Sequence, residues 1–280
     1  AQCVEEAFGR GEGQSRHLRS YYLMEPLQFE AWLSAITADP SKYWVVKNCS
    51  GGNSEGVKLL KAADTEAVMA LRETQAVAQE FLDNPLRLWD GGKFHLRAYL
   101  LVTRWVPAAA FLYDEGLVLR SKLPYDPKKP SDADLFSRHS DIVEILSFGY
   151  LWKELGLERT AEVKRRIRKV LGEIFGVSEA LEQSFGPFKR NGNYSCFDLF
   201  GLDIMLDEEY QPHILEVNQG PDLWADHLAI QHPIKGLLVK QIATYARERS
   251  DAPLDISVLE QEDIENVTLI TFTPLDTKSS

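Results

Sequence analysis

Three residues in the last third of the sequence offer the oxygen ligands that a magnesium ion prefers. Two strand-like runs, residues 196–206 and 213–217, flank a polar turn, so the sequence predicts a hairpin. If the hairpin is centred on that turn, Asp203 faces Glu216, and Asn218 shares the face of Glu216 because side chains alternate. Two opposed carboxylates among apolar neighbours are unfavourable unless a cation neutralises them, and oxygen ligands without cysteine suit Mg²⁺. The alternative is a slipped register that leaves both acids in solvent.

A polar, glycine-rich loop between two predicted strands could cover phosphate groups. It contains Ser50, Gly51, Gly52 and Gly56, and Lys47 lies just before it. Such a loop presents many backbone N–H donors, and the lysine could reach phosphate oxygens. The loop lacks the terminal Gly-Lys-Ser/Thr of a P-loop and precedes a strand, which argues against that class. A plain hairpin loop is the alternative interpretation.

Basic residues alternate along the run that begins at Lys93. Lys93, His95, Arg97 and Tyr99 fall on one face, and the opposite face is apolar. Cations on one face of an otherwise apolar strand need an anionic partner, and phosphate would serve. Arg120, after another apolar run, could extend this basic surface. A solvent-exposed sheet face is the alternative, and His95 fits a hydrogen-bonded sheet residue better than a metal ligand.

The elements that position these residues follow from the hydrophobic pattern. A first helix is predicted over residues 26–37, where Leu27, Trp32, Leu33 and Ile36 are spaced for one apolar face. The chain before residue 24 is expected to be loosely structured, and residues 124–140 are expected to form a loop. Helices segregated from largely antiparallel strands indicate the α+β class. Strands are predicted over residues 43–47, 57–60, 76–82, 94–102, 109–120, 196–206, 213–217 and 267–272, and further helices over 65–74, 142–155, 160–175 and 233–249.

Composition narrows the classes of function. The chain has 280 residues and a formal net charge of −11, which disfavours a general nucleic-acid or anionic-membrane binder. No apolar run is long enough to span a membrane, and three scattered cysteines fit a reducing compartment, so a cytoplasmic location is expected. The chain is also expected to be a monomer. The basic cluster from Lys164 to Lys169 reads either as a solvated helix face or as a docking patch for an acidic partner.

Six motifs occur in the order in which they are found in tubulin tyrosine ligase-like proteins, and the chain resembles that family from about residue 43 to residue 223. The motifs begin at Trp44, Gln79, Lys93, Leu112, Cys196 and Leu215, and they read WVVK with the glycine loop, QEFLDNPL, KFHLR, LYDEGLVLR, CFDLFGLDI and LEVN.

The resemblance implies an ATP-grasp fold in which two α+β lobes hold ATP between them. It implies an N-terminal extension (1–25), a first lobe with phosphate flap and hinge (26–90), a second lobe with the metal site (91–250) and a C-terminal tail (251–280). The domain that usually precedes the family's core is expected to be absent. The implied reaction phosphorylates a carboxylate with ATP and then lets an amine displace phosphate to form an amide.

The resemblance also assigns roles to residues. It implies that Lys47 and Lys93 contact ATP phosphates, that Arg97 approaches the γ-phosphate, and that Arg120 serves the phosphoryl group or a substrate carboxylate. The ligands of Mg²⁺ would be the hairpin residues Asp203, Glu216 and Asn218. The residues expected to bind ATP are Lys47, Ser50, Gly51, Gly52, Gly56, Gln79, Glu80, Phe81, Leu82, Lys93 and His95, with the segment from Gln79 to Leu82 as the adenine hinge.

Some positions depart from the family pattern. His95 stands where the family usually has Asp, and residues 136–140 lack the family's Thr-Asn pair. The expected partners are a carboxylate acceptor, either a protein tail such as tubulin or a small acid, and an amino acid that supplies the amine. A non-catalytic ATP-binding module is the alternative function. A protein kinase ranks lower because the sequence has neither a His-Arg-Asp nor an Asp-Phe-Gly motif.

Overall fold

A computed structural model describes residues 18–49, 56–88, 90–104, 109–135, 143–176, 197–223, 231–248 and 272–274. The strands are β1 (Ser20–Tyr22), β2 (Tyr43–Asn48), β3 (Lys58–Lys61), β4 (Ala76–Glu80), β5 (Gly92–Arg104), β6 (Ala109–Tyr113), β7 (Leu117–Pro124), β8 (Val143–Ser147), β9 (Asp198–Leu206), β10 (Pro212–Gln219) and β11 (Phe272–Pro274). The helices are α1 (Pro26–Ala38), α2 (Thr65–Met69), α3 (Phe148–Gly176) and α4 (Gln231–Glu248), with a 3₁₀ turn at Asp132–Leu135.

Contacts within the chain define two compact units. The first comprises Ala1–His95, Leu119–Glu144 and Met205–His213. The second comprises Leu96–Val118, Ile145–Ile204 and Ile214–Ser280. The sequence-based boundary between residues 90 and 91 stays a prediction.

The four-stranded sheet of the first unit has the order β1-β4-β2-β3. Its pairs are antiparallel, with Val45 opposite both Leu59 of β3 and Gln79 of β4. Helix α1 begins at Pro26, after Glu25 accepts hydrogen bonds from the next turn, and it buries Phe29, Trp32 and Ile36. These side chains form one apolar core with residues of the sheet, of α2 and of the positions directly after β1 and β3, namely Leu23, Trp44, Val46, Ala62, Val68, Ala76 and Ala78.

A second sheet has seven strands in the order β10-β9-β5-β6-β11, and β7 pairs with β5 and β8. The 13-residue strand β5 pairs antiparallel with β9 and with β6. The β5–β9 register places Arg97 directly opposite Asp203 and Leu96 opposite Ile204. Pairing of strands more than 100 residues apart therefore positions the residues that matter for the site.

Helix α3 is anchored at its first turn by a carboxylate from the loop after β6. Glu115 Oε1 accepts the amide of Gly116 at 3.0 Å and the amide of Phe148 at 2.8 Å. A Cβ on Gly116 would lie 2.6 Å from Phe148 Cζ, so this close approach requires glycine. Burial raises the pKa of Glu115 above its ordinary value, although these amide hydrogen bonds oppose the rise.

The α+β class predicted from the sequence is confirmed, and several element boundaries were wrong. Residues 109–120 form two strands, because β6 ends at Tyr113 and the chain enters β7 only at Leu117. The helix predicted over residues 142–155 begins only at Phe148, because residues 143–147 pair with β7 as strand β8. The break predicted between this helix and the next is present, since Gly156 within α3 has the non-helical φ of 75°. Ser20–Tyr22, expected to be loosely structured, form a strand by pairing with β4.

Other expected elements are present with small shifts. The hairpin occurs as β9 and β10, and the helix predicted over residues 233–249 occurs as α4. On α1, Phe29 enters the core, whereas Leu27 is 79% exposed. Most of the predicted strand 267–272 lies outside the described residues, and β11 begins at Phe272. Among the described residues, no helix combines the length and apolar character needed to cross a bilayer.

Candidate functional site

Lys93 is a buried cation enclosed by aromatic rings in the first unit. It lies near the start of β5, is 2% exposed, and places its Nζ 4.1 Å from the ring centre of Phe81 and 5.2 Å from that of Tyr125. Burial lowers the pKa of Lys93 to about 8, and the charge of Asp134 opposes this shift. An anionic ligand such as a phosphate would stabilise the charged ammonium in this environment.

Lys47 and Gln79, both predicted to bind nucleotide, lie together on adjacent strands. Lys47 Nζ donates to Gln79 Oε1 at 2.9 Å, and Gln79 Nε2 donates to Ser20 Oγ at 3.2 Å. Lys47 ends the apolar part of β2, directly before the glycine loop. The sheet therefore places this cation beside Gln79, the first residue of the expected hinge.

The hinge segment follows from the end of β4, where the strand leaves the sheet. Phe81 and Leu82 are buried, with 7% and 8% exposure. The amide of Glu80 donates to the Arg19 carbonyl at 2.8 Å and that of Phe81 to the Tyr43 carbonyl at 3.1 Å. The Glu80 carboxylate is bound by Arg19 and Lys42, so it is already neutralised within the protein.

The glycine loop can be described only at its end. Ser50, Gly51 and Gly52 lie outside the described residues. Gly56 has φ +77°, and a Cβ there would lie 2.3 Å from Asn48 Nδ2, so this position requires glycine.

The basic face of β5 is buried, so the solvent-exposed alternative was wrong. Lys93, His95 and Arg97 are 2%, 6% and 7% exposed. The role of His95 in binding nucleotide stays a prediction.

Arg120, on β7 in the first unit, is held by two carboxylates. Its Nη2 lies 2.9 Å from Asp90 Oδ2 and 3.2 Å from Glu144 Oε2. Asp90 also accepts the amide of Gly92 at 3.1 Å, and a Cβ on Gly92 would lie 2.4 Å from the Ser121 carbonyl oxygen. Asp90 is thus fixed by its own turn, whereas the Glu144 side chain is 41% exposed.

The second unit contains a buried pair between Arg97 and Asp203. Arg97 Nε donates to Asp203 Oδ1 at 2.5 Å and Nη2 donates to Oδ2 at 2.9 Å. Burial lowers the pKa of Arg97, but the hydrogen bonds and charge of Asp203, with a smaller contribution from Glu216, raise it above its ordinary value. Arg97 therefore supplies at least part of the positive charge that a metal ion was expected to provide for the two carboxylates.

Glu216 and Asn218 accompany this pair on the neighbouring strand β10. Glu216 is exposed and Asn218 is half-buried, and they share a face by the two-residue period. The Gly220 amide donates to the Leu199 carbonyl at 3.0 Å, a contact compatible with the predicted pairing of Asp203 with Glu216. These oxygen donors fit Mg²⁺, which binds few protein ligands and completes its shell with water and phosphate. Among the described residues, no group of three or more His, Cys, Asp or Glu could hold a metal.

The basic cluster on α3 is partly neutralised by its own helix. Glu162 forms ion pairs with Arg165 at 2.7 Å and Arg166 at 2.6 Å. Lys164 lies over the ring of Trp152 at 5.3 Å. These contacts favour a helix face over a docking patch for an acidic partner.

Sequence reasoning missed six residues that hold the predicted ones in place. Their contacts join positions distant in sequence, so no local pattern indicates them; only the Asp90-Gly91-Gly92 turn has a recognisable signal. They are Arg19, Lys42, Asp90, Tyr125, Asp134 and Glu144.

Together, these features describe an α+β protein of ATP-grasp type, with the buried Lys93 in its first unit and the buried Arg97–Asp203 pair in its second. The sequence model of the tubulin-tyrosine ligase family matches residues 4–140 and 141–251. The chain therefore belongs to the tubulin-tyrosine ligase family.

Named relatives agree with this assignment. The chain is 25% identical over 257 residues, 85% of its length, to tubulin polyglutamylase ttll-4 of Caenorhabditis elegans, of which it covers 41%. It is 25% identical over 233 residues, 75% of its length, to tubulin polyglutamylase TTLL5 of Mus musculus, of which it covers 17%. A probable tubulin–tyrosine ligase of Schizosaccharomyces pombe is 32% identical over 155 residues, 52% of the chain and 36% of that protein. The chain thus spans less than half the length of these relatives.

Proposed function

We propose that this chain is an ATP-dependent carboxylate–amine ligase that joins an amino acid to a carboxylate through an amide bond. The observation that carries the proposal is the buried Lys93, whose ammonium lies at 4.1 Å over Phe81 in a chain of the tubulin-tyrosine ligase family. A cation with so little solvent is poised to gain stabilisation from a polyphosphate.

The residues of the first unit would bind and orient the nucleotide. Lys93 and Lys47 would neutralise phosphate charge, while the segment from Gln79 to Leu82 would receive the base. ATP would supply the phosphoryl group that activates the carboxylate, and Mg²⁺ would neutralise phosphate charge.

The residues of the second unit would hold the metal. Glu216 offers an exposed carboxylate, and Asn218 offers an amide oxygen on the same face. Arg97 orients Asp203 by its two hydrogen bonds, so one acid is fixed while the other remains accessible. Arg97 itself is the residue we expect to approach the transferred phosphoryl group.

The substrate carboxylate would pair with Arg120. A carboxylate oxygen would attack the terminal phosphorus of the nucleotide, with release of ADP and formation of an acyl phosphate. The amine would then form the C–N bond as the C–O bond to phosphate breaks, and the amine proton would leave to solvent. Positioning and charge neutralisation would serve both steps, and no protein nucleophile is needed.

The names of two relatives favour glutamate as the amine donor and a tubulin tail as the acceptor, because both are tubulin polyglutamylases. A small acid or peptide is a second acceptor class that we include in the test.

A non-catalytic ATP-binding module is a second candidate. The observation that favours it is that Arg97 and Arg120 are both paired with internal carboxylates. In such a module these cations would stay committed to the fold and would not contact substrate.

Turnover distinguishes the two candidates. Purified protein with ATP, Mg²⁺, single amino acids and tubulin-tail peptides or small acids should release ADP and phosphate only when donor and acceptor are both present. Binding of ATP without turnover across the panel would contradict the ligase and favour the module. Release of ADP with acceptor alone would indicate uncoupled phosphorylation.

A further inference from the structure

Three charged side chains converge at the end of β4, and we refer to Arg19, Lys42 and Glu80 as the hinge clamp. Arg19 Nε lies 2.8 Å from Glu80 Oε2, and Arg19 Nη2 lies 3.2 Å from Glu80 Oε1. Lys42 Nζ donates to Glu80 Oε1. Two cations therefore hold one carboxylate through both of its oxygens.

The clamp follows from the sheet topology. Strand β4 lies between β1 and β2, Arg19 directly precedes β1, and Lys42 directly precedes β2. Glu80 is the last residue of β4, so a cation from each neighbouring strand reaches it. Backbone bonds reinforce both sides, since Glu80 and Phe81 donate their amides to the Arg19 and Tyr43 carbonyls.

Glu80 is the most shielded side chain of the hinge clamp, whereas Arg19 and Lys42 are partly exposed. The Glu80 side chain is 15% exposed. Burial raises its pKa, but the hydrogen bonds and charges of Arg19 and Lys42 outweigh burial and lower the pKa overall. Arg19 also lies over the Trp44 ring at 5.7 Å, which restricts the guanidinium.

The clamp has a consequence for the base of a nucleotide. Because both oxygens of Glu80 are engaged, its carboxylate is unsuited to accept a hydrogen bond from an adenine amine. The amides of Glu80 and Phe81 are committed to the sheet. Within the described residues the Leu82 amide has no acceptor, and Leu82 is buried. A base at this segment would therefore accept a hydrogen bond from the main-chain amide of Leu82.

We propose that Arg19 and Lys42 are positioning residues that fix the main chain of residues 80–82 for recognition of the adenine base. The proposal rests on the proposed function, which places the base at this segment. Neither residue touches the nucleotide; each acts through Glu80 on the backbone that does.

The test compares binding of ATP with binding of inorganic tripolyphosphate, which has no base. Titration calorimetry on Arg19→Gln, which keeps much of the packing on Trp44, should show ATP affinity about tenfold weaker, the equivalent of one well-placed hydrogen bond. Tripolyphosphate affinity should change less than about twofold, because only the adenine base would contact the hinge segment. Arg19→Lys should recover most of the ATP affinity, and Lys42→Gln should repeat the selective loss.

Arg72→Gln is the matched control. Arg72 also combines an ion pair, with Glu30 at 2.6 Å, and a ring contact, with Phe29 at 5.4 Å, but it contacts no hinge residue. This variant should bind both ligands as the wild type does.

The results distinguish failure of the positioning role of Arg19 from failure of the proposed function. Equal loss of ATP and tripolyphosphate binding in Arg19→Gln would show a merely structural role and overturn the proposal, as would unchanged ATP binding. A wild-type protein that binds no ATP would overturn the proposed function and this inference with it.

Discussion

Replacing Lys93 with methionine should stabilise the ligand-free protein while it weakens nucleotide binding. The perturbation removes a buried charge and keeps an unbranched side chain of similar length against Phe81 and Tyr125. Opposed effects on stability and binding are expected where a buried charge contributes more to ligand binding than to the stability of the fold.

The magnitude follows from the pKa of Lys93. Burial lowers it from 10.5 to about 8, which corresponds to about 3 kcal/mol of unfavourable free energy for the charged form at neutral pH. The cation–π contact with Phe81 offsets up to about 2 kcal/mol of that value. The free energy of unfolding of Lys93→Met should therefore exceed that of the wild type by about 1–3 kcal/mol at pH 7.

The pH dependence has a definite sign. The unfolded chain binds the Lys93 proton up to about pH 10.5 and the folded chain up to about pH 8, so wild-type stability rises with pH in that window. Relative to the wild type, the advantage of Lys93→Met should shrink by about 1 kcal/mol between pH 7 and pH 9.

Urea denaturation followed by tryptophan fluorescence gives the free energy of unfolding, and calorimetry gives ATP affinity. Loss of a charged contact to phosphate should weaken ATP binding by about 1.5–3 kcal/mol, roughly tenfold to 150-fold. Lys128→Met, at an exposed lysine, is the control and should change neither quantity. A destabilised Lys93→Met protein with unaltered ATP binding would refute the reasoning.

Two further predictions concern Lys93 and Arg120. ATP affinity of the wild type should be constant below pH 8 and fall up to tenfold per pH unit above it, because Lys93 must then take up a proton on binding; a flat calorimetric profile to pH 9.5 would contradict this. Glu144→Gln should lower the KM for the carboxylate substrate by up to about fivefold, because the exposed Glu144 competes for Arg120 with an energy of up to about 1 kcal/mol. The same kinetics on Glu162→Gln serve as control, and a raised KM in Glu144→Gln would mean that Glu144 positions Arg120.

Period-two alternation made the basic strand predictable. It placed Lys93, His95 and Arg97 on one face of β5, and all three are buried there. The same rule gave the β9–β10 hairpin with Asp203 and Glu216 on its strands. These features depend on local sequence patterns, so they could be predicted from this sequence alone.

Features that depend on distant partners were not predictable. Ser20–Tyr22 form a strand because they pair with β4, and residues 143–147 form a strand because they pair with β7. The β5–β9 register also places Arg97 opposite Asp203, 106 positions along the chain, while the approach of Arg97 to the γ-phosphate stays a prediction. A single sequence carries no signal for such pairing.

Transfer of an oxygen label tests the central claim most directly. An acceptor whose carboxylate carries oxygen-18 is incubated with ATP, Mg²⁺, glutamate and the protein, and the released phosphate is examined by mass spectrometry. The ligase mechanism predicts one labelled oxygen in the phosphate for each amide formed, and none with Glu216→Gln, which should bind Mg²⁺ too weakly for turnover. Phosphate that is released without label from the wild type would contradict carboxylate activation and the account built on it.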